Sequence, residues 1–471
     1  MNREAGNFQE EQEINEALQR YEEMLKNGAK RYFDVFQIEL IAERFIEEGK
    51  IHPALQAVDM GIEQHPTSIP LKVRKVNILF NLGELDRTLS MAEELLMIEA
   101  SNHELHLMKG SAHLLLGNRN EALHSFNRSL QFSIDDRDET LFNIGYTYEQ
   151  NGDFNQAIPY LEEAVLLNPE NEAALYELAF CYEKIDENEK SIQYYNRYLD
   201  LDTFSDSAWF NLGILYTKTK QYEASVEAYE YALAINDAFP NAWFNLGHAY
   251  MLWKKYEQAL NSFKTYIEFE EDNDEIYCLM GDCQLKLKRY TEAAKNFRRA
   301  VKLNKHNARA WYSIGLIKKI ESKYNEALKH LRLAVKYDEE KSEYWFQLAK
   351  VNARLNDLSQ SINAYEAACE LSPENLTYWL SFGGMLFKKG MVVKAIELLN
   401  TALEFHPDNA LINYRIAAYL LESDKEKDAV QYLEQALKND YSNYRYLFES
   451  YPDARYSESV NQLISKYNTI E

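Results

Sequence analysis

Trp-Phe-Asn-Leu-Gly-Ile-Leu-Tyr at 209–216 and Trp-Phe-Asn-Leu-Gly-His-Ala-Tyr at 243–250 agree in their first five residues and in their last, one 34-residue step apart. The same step carries Trp311, Trp345 and Trp379. A fixed period of this length marks a repeat array, in which each unit is one supersecondary element that cannot bury its apolar face alone. With each tryptophan as position 4, repeats start at 35, 69, 103, 138, 172, 206, 240, 274, 308, 342, 376 and 410, one extra residue entering near Asp135 and Asp136. Twelve repeats then fill residues 35–443.

Within a repeat, two stretches of helical periodicity flank a short break, with glycine at position 15 in Gly49, Gly83, Gly117 and Gly152. The expected unit is a helical hairpin, helix A followed by helix B. Position 8 is small almost throughout, as in Gly110, Gly145, Gly213 and Ala349, and position 20 is Ala, Ser or Thr. Small residues there let A and B approach closely. Large residues at positions 4, 7, 11 and 24, such as Trp209, Leu212, Tyr216 and Tyr229, fill the space around that contact. Stacked hairpins supply the core, so the expected fold is an all-α solenoid. At its ends, residues 10–27 place Ile14, Leu18, Tyr21 and Leu25 on one helical face, and 455–467 do the same with Val460, Leu463, Ile464 and Tyr467. Segments 1–34 and 444–471 are therefore expected to carry capping helices, with the first seven and last few residues mobile.

Trp, Leu, Gly and Tyr on helix A, then Ala, Phe, Ala and Pro at fixed offsets, resemble the tetratricopeptide repeat, and 209–232 and 243–263 match it closely. The resemblance implies a right-handed superhelix whose A helices line a concave groove with positions 2, 5, 6, 9, 12 and 13. It also implies a family that binds peptides or other proteins.

Composition limits the partners. Apolar residues make up 46% and charged residues 27% of the 471, with only 16 Gly and 9 Pro, so the chain is expected to fold. Lys and Arg number 51 against 75 Asp and Glu, a net charge of −24 that repels phosphate backbones and anionic lipid. Cys181, Cys278, Cys283 and Cys369 are too scattered for a disulfide framework. No apolar run reaches membrane-spanning length and no secretory signal opens the sequence, so a cytoplasmic location without membrane insertion is expected. No phosphate-cradling glycine loop, His-Glu-x-x-His or nucleophile elbow occurs, and neither enzyme activity nor a cofactor is expected. Cys278 and Cys283 lie on different faces of a helix, and His103 with His106 lack further ligands at a fixed spacing, so no metal site is expected either.

The groove positions hold the candidate binding residues. Position 5 is aromatic in Phe142, Tyr176, Phe210, Phe244, Tyr312, Phe346 and Tyr414. Position 6 is an amide in Asn143, Asn211, Asn245 and Gln347, and an amide offers both donor and acceptor to an extended peptide backbone. In glycosyltransferases with similar repeats, Asn at this position forms such a ladder; the same wording is also simply the commonest form of the repeat. Groove charge is uneven. Repeats 1–5 are mostly acidic there, with Glu39, Glu104, Glu139, Glu149 and Glu177, whereas repeats 9–11 collect Arg309, Lys319, Lys350, Arg354 and Lys388. The chaperone-binding clamp of the family needs Lys at position 5, which this chain never has. The expected function is a non-enzymatic scaffold or adaptor binding peptide or protein segments in the groove. One alternative is a subunit held in a larger complex through its convex surface or caps. Another, disfavoured by the net charge, is a nucleic-acid binder using the basic C-terminal groove with Tyr312, Phe346 and Tyr414 as stacking platforms.

Overall fold

The structure, a computed structural model, describes residues 16–28 and 30–468. Ile14 and the terminal residues expected to be mobile at 1–7 and the extreme C-terminus, 469–471, lie outside the described residues. Two compact units divide the chain, Met1–Ala249 and Tyr250–Glu471. Both are all-α solenoids of consecutive helix pairs, and no strand occurs among the described residues.

In the first unit a helix over 16–27 precedes A helices that begin at Val35, Ile69, His103, Arg137, Glu172, Asp206 and Pro240, with B helices from Ile51, Leu85, Arg119, Phe154, Asn188 and Tyr222. The second unit continues with B helices from Tyr256, Tyr290, Tyr324, Leu358, Val392 and Glu426 and A helices from Asp274, Ala308, Ser342, Leu376 and Ala410. Each helix thus starts at position 1 or 17, apart from Arg137, which begins one residue early because the inserted residue is absorbed in the bend at 134–136.

Local chemistry explains those boundaries. Ahead of helix A, an Asn or Asp side chain takes an otherwise orphaned N–H, as Asn102 does from Leu105 (3.0 Å) and Asn171 from Ala174 (2.9 Å). Helix A ends at position 15 in left-handed backbone in every pair. Gly49, Gly83, Gly117, Gly152 and Gly390 do this without steric cost, but Asp186, Lys220, Lys254, Lys288, Ser322, Asn356 and Asp424 do it too, at φ between 56° and 63°. The following N–H then reaches back across the turn, Lys50 to Phe45 O at 2.7 Å and Gln221 to Tyr216 O at 2.8 Å, closing the orphan carbonyls.

Position 8 and position 24 share one volume. A Cβ added at Gly213 would stand 2.5 Å from the Tyr229 ring, at Gly110 2.5 Å from Phe126, and at Gly281 2.6 Å from Phe297. In the second repeat the volume is divided the other way: Val76 faces Ala92, and both are fully buried. The tryptophans have a second role besides filling space. Nε1 of Trp209, Trp243, Trp311, Trp345 and Trp379 donates to the carbonyl six residues earlier, at 3.0, 2.9, 2.9, 2.8 and 2.8 Å. Each indole ties the turn between repeats to the helix that follows it.

The ends differ from the sequence expectation in register. On the N-terminal helix Leu18 and Tyr21 face inward as expected, beside Ala17 and Met24, with Tyr21 edge-on to Phe33 and Phe45, whereas Leu25 is 57% exposed. At the C-terminus, a single capping helix is replaced by a series of short elements. A 3₁₀ turn at Tyr441–Asn443, a helix Arg445–Ser450, a second 3₁₀ segment Pro452–Tyr456 and the helix Glu458–Asn468 follow the last repeat. Leu447 and Ala454 enter the core beside Val460, while Leu463, Ile464 and Tyr467 are partly buried against it.

Candidate functional site

In the first unit, A helices of successive repeats lie side by side and their outward positions enclose an open groove of about 790 Å³. Its floor is apolar, built from Val73, Leu107 and Met108, with Asn143 and Tyr146 at one end. Glu39, Glu99, Glu104, Asp136 and Glu139 line it against a single arginine, Arg74. Of the acidic residues expected in repeats 1–5, Glu39, Glu104 and Glu139 line this cavity, joined by Glu99 and Asp136.

Just beyond Tyr146, Glu149 of repeat 4 meets Glu177 of repeat 5. Burial first, and then the neighbouring Glu177 charge, push the Glu149 carboxyl up to about 8. Burial also raises Glu177. Glu149 is 7% exposed, and its Oε2 has no N–H or hydroxyl donor from the protein. Burial beside a second carboxyl favours retention of a proton by the pair. The sequence reading counted both residues only as charges; their spacing across the repeat boundary, position 12 to position 6 of the next repeat, is the signal that would have paired them.

The amides separate into two kinds. Asn211 Nδ2 donates to the hydroxyls of Tyr176 and Tyr195, both at 3.0 Å, and Asn245 hydrogen-bonds Tyr229. Tyr195 and Tyr229 occupy position 24 with their rings buried. The Asn at position 6 of the following repeat gives the Tyr195 phenol its side-chain partner and joins Thr217 on Tyr229. Asn143 follows Phe126, which has no hydroxyl, and its side chain faces the groove. The aromatic residues divide similarly. Phe142, Tyr176, Phe210 and Phe244 are half-buried, Phe142 stacking on Tyr146 with centroids 5.9 Å apart. Tyr312 and Phe346 are only 8% and 6% exposed, because Tyr344 and Tyr378 at position 3 of the next repeat stack over them at 4.6 and 4.5 Å. Tyr414 is fully buried, its hydroxyl donating to Asp440 O at 2.7 Å. As open stacking platforms for bases these three rings are covered.

The basic positions of the second unit are also sorted by their neighbours. Arg309 is paired with Asp282 and so leaves the cluster. Lys319 Nζ donates to Gln347 Oε1 at 2.6 Å, Lys350 Nζ lies 5.0 Å from the Phe346 ring centre, and Arg354 and Lys388 are exposed. Burial, together with the Lys350 and Arg354 charges, holds the Lys319 ammonium below its ordinary range. Arg415, at position 6 of the last repeat, adds a cation that the reading of repeats 9–11 passed over; its Nη1 donates to Leu380 O at 2.6 Å.

Cys181, Cys278, Cys283 and Cys369 are all reduced and buried, and burial pushes Cys278 up to about 11 and Cys283 to about 12. Among the described residues no group of three or more His, Cys, Asp or Glu is placed to hold a metal ion, and no helix is long and apolar enough to cross a membrane.

Family models of the tetratricopeptide repeat match residues 148–213, 240–273, 274–307, 321–375 and 346–410, and a TPR repeat model matches 215–252. Together they cover more than half of the chain. No curated protein matches it. Among solved structures, a tetratricopeptide repeat protein from Parabacteroides merdae is 18% identical, covering 53% of this chain and 98% of its own, with a TM-score of 0.36. YrrB, described as a TPR protein with an unusual peptide-binding site, is 17% identical, covering 40% and 96%, with a TM-score of 0.34. The APC/C hetero-tetramer Cut9–Hcn1 is 15% identical over 83% of each chain, with a TM-score of 0.36.

Proposed function

The chain belongs to the tetratricopeptide-repeat family, and from that membership and the two groove faces we propose that this protein–protein interaction scaffold holds two segments of opposite charge. The A-helix face of the first unit takes a basic or apolar segment. The face of the second unit takes an acidic segment or a C-terminal carboxylate.

One observation carries this reading. Lys319, Lys350 and Arg354 gather on neighbouring A helices without an ion pair among the described residues, in a chain with a net charge of −24. Like charges held together at a partly buried site cost free energy that a bound anion recovers. Screening over about 8 Å at physiological salt lets such a cluster act locally despite the charge of the whole chain.

Reversing Lys350 and Arg354 to Glu tests it, with a decaglutamate peptide as the probe. The double variant should associate about tenfold more slowly and lose most of the salt dependence of its association rate, since exposed charge steers encounter more than it sets final affinity. Equal rates and equal salt slopes for the variant and the native chain would refute the assignment.

A second reading, docking through B helices into a larger complex, draws support from Met97, Ile98 and Leu166, which are 87%, 67% and 78% exposed near B-helix C-termini. Substituting Met97 and Leu166 by Asp discriminates the two. Loss of complex formation in that variant, with the groove variant unaffected, would favour docking.

A further inference from the structure

We propose that Glu149 and Glu177, beside Tyr146 where it lines the first unit's groove, form a subsite for one cationic side chain, a lysine or arginine of the bound segment. This rests on the reading of that groove as the seat of a basic segment.

Three features converge on a single cation. Glu149 Oε2 is buried without a protein donor, and Glu177, on the adjacent A helix, is close enough to share a proton with it. Tyr146, 39% exposed, lies against both carboxyls and stacks on Phe142, providing an apolar wall for an aliphatic stem beside a charged end. The open groove ends at Tyr146, so a segment lying in it reaches the pair with a side chain rather than its backbone. The other titratable groups facing the pair are the Cys181 thiol and the Tyr146, Tyr176 and Tyr195 hydroxyls, whose protons burial and the neighbouring carboxylates retain. None supplies a positive charge. The described residues offer no third ligand for a metal, which leaves an organic cation as the matching occupant.

The exchange balances in protons and charge. The shared proton leaves to solvent, the pair becomes two carboxylates, and the incoming ammonium or guanidinium donates to Glu149 Oε2 and to Glu177.

Calorimetric titration of the full chain with decalysine at pH 7 and low salt, repeated in phosphate and in Tris, reads both affinity and proton release. The expected result is binding to the native chain with release of up to one proton, and binding about tenfold weaker without that release in Glu149→Gln and in Glu177→Gln. Glu39→Gln and Glu104→Gln, at the far side of the groove, should weaken binding while leaving the proton count unchanged. Decaarginine distinguishes guanidinium from ammonium, and a peptide of acetylated lysines should not release the proton. Glu149→Gln should melt as the native chain does near pH 4.5, where Glu149 is largely protonated in the folded and unfolded chains alike, and above it at pH 6; if it does not fold, Glu177→Gln carries the test.

Tight decalysine binding with the native proton count in both Gln variants overturns the subsite and leaves the groove reading standing. Absence of decalysine binding to the native chain overturns the groove reading itself. Proton release produced more strongly by Zn²⁺ or Ca²⁺ than by decalysine overturns the assignment of the occupant.

Discussion

At the scale of single residues, the hydrogen-bond partners of Asn211 and Asn245 change what these side chains are for. Their amides satisfy phenols on the preceding repeat; replacing Asn211 by Ala leaves the buried Tyr195 hydroxyl unpaired, whereas Tyr229 keeps Thr217 when Asn245 is replaced. The expected loss is about 1–3 kcal/mol for Asn211→Ala and about 0.5–1.5 kcal/mol for Asn245→Ala, read as a lower denaturant midpoint, whereas Asn143→Ala should leave the midpoint unchanged. Equal effects at all three positions would contradict the division. Glu149 makes a second prediction at this scale. Its folded-state carboxyl is raised from the ordinary 4.5 to about 8, so through that window the native chain retains a proton that the unfolded chain has lost. Stability therefore falls as pH rises from about 4.5 to about 8, by up to about 1.4 kcal/mol per pH unit for a fully linked proton. Glu149→Gln removes this slope, and melting both proteins from pH 5 to 9 measures the difference. A native and a variant profile of equal slope would show that the carboxyl is not held protonated by the fold.

At the scale of elements, the A–B turn is a place where this chain stores removable strain. Lys220 and Lys288 stand in left-handed backbone where five other repeats have glycine. The conformation costs a side-chain-bearing residue about 1–2 kcal/mol, and part of that gain is offset by the greater freedom of glycine in the unfolded chain. Lys220→Gly and Lys288→Gly should each stabilise by about 0.5–1 kcal/mol, and a fall in melting temperature for both would refute the account. The A–B contact behaves oppositely. Gly213→Ala drives a Cβ to within 2.5 Å of the Tyr229 ring, and the strain should cost about 1–3 kcal/mol. Tyr229→Leu in the same chain should recover much of that loss, because positions 8 and 24 trade volume, as Val76 and Ala92 already do. Were the double variant no better than Gly213→Ala alone, the shared-volume explanation would fail.

At the scale of the whole molecule, the stack needs its ends closed. Deleting 444–471 removes Leu447, Ala454 and Val460, and uncovers Leu433 and Leu437 on the last helix pair. An apolar face left open in this way favours self-association. Light scattering should show concentration-dependent growth in the truncated chain with the far-ultraviolet helical signal largely retained. A truncated protein that stays monomeric and melts as the full chain does would mean that these elements are ornament on a core already closed. Charge is distributed at this scale as well: each unit has its own groove face, one rich in carboxylates and the other in unpaired cations, and the proposed segments follow from that polarity.

The sequence by itself determined the 34-residue period, the hairpin unit, where each helix begins and which positions must be small, because capping, left-handed turns and A–B approach depend on residues close in the chain or within one repeat. It also determined that carboxylates gather on one stretch of A helices and cations on another, since helical periodicity sets the direction in which a side chain leaves its own helix. Only the tertiary structure decided which of those side chains remain free. Asn211 meets Tyr195, Tyr312 is roofed by Tyr344, Arg309 is taken by Asp282 and Glu149 closes on Glu177. Each of these partners stands 16 to 32 positions away, on the neighbouring helix or repeat. Periodicity says which way a residue faces; what it meets there depends on the size and charge of a residue that only stacking brings alongside.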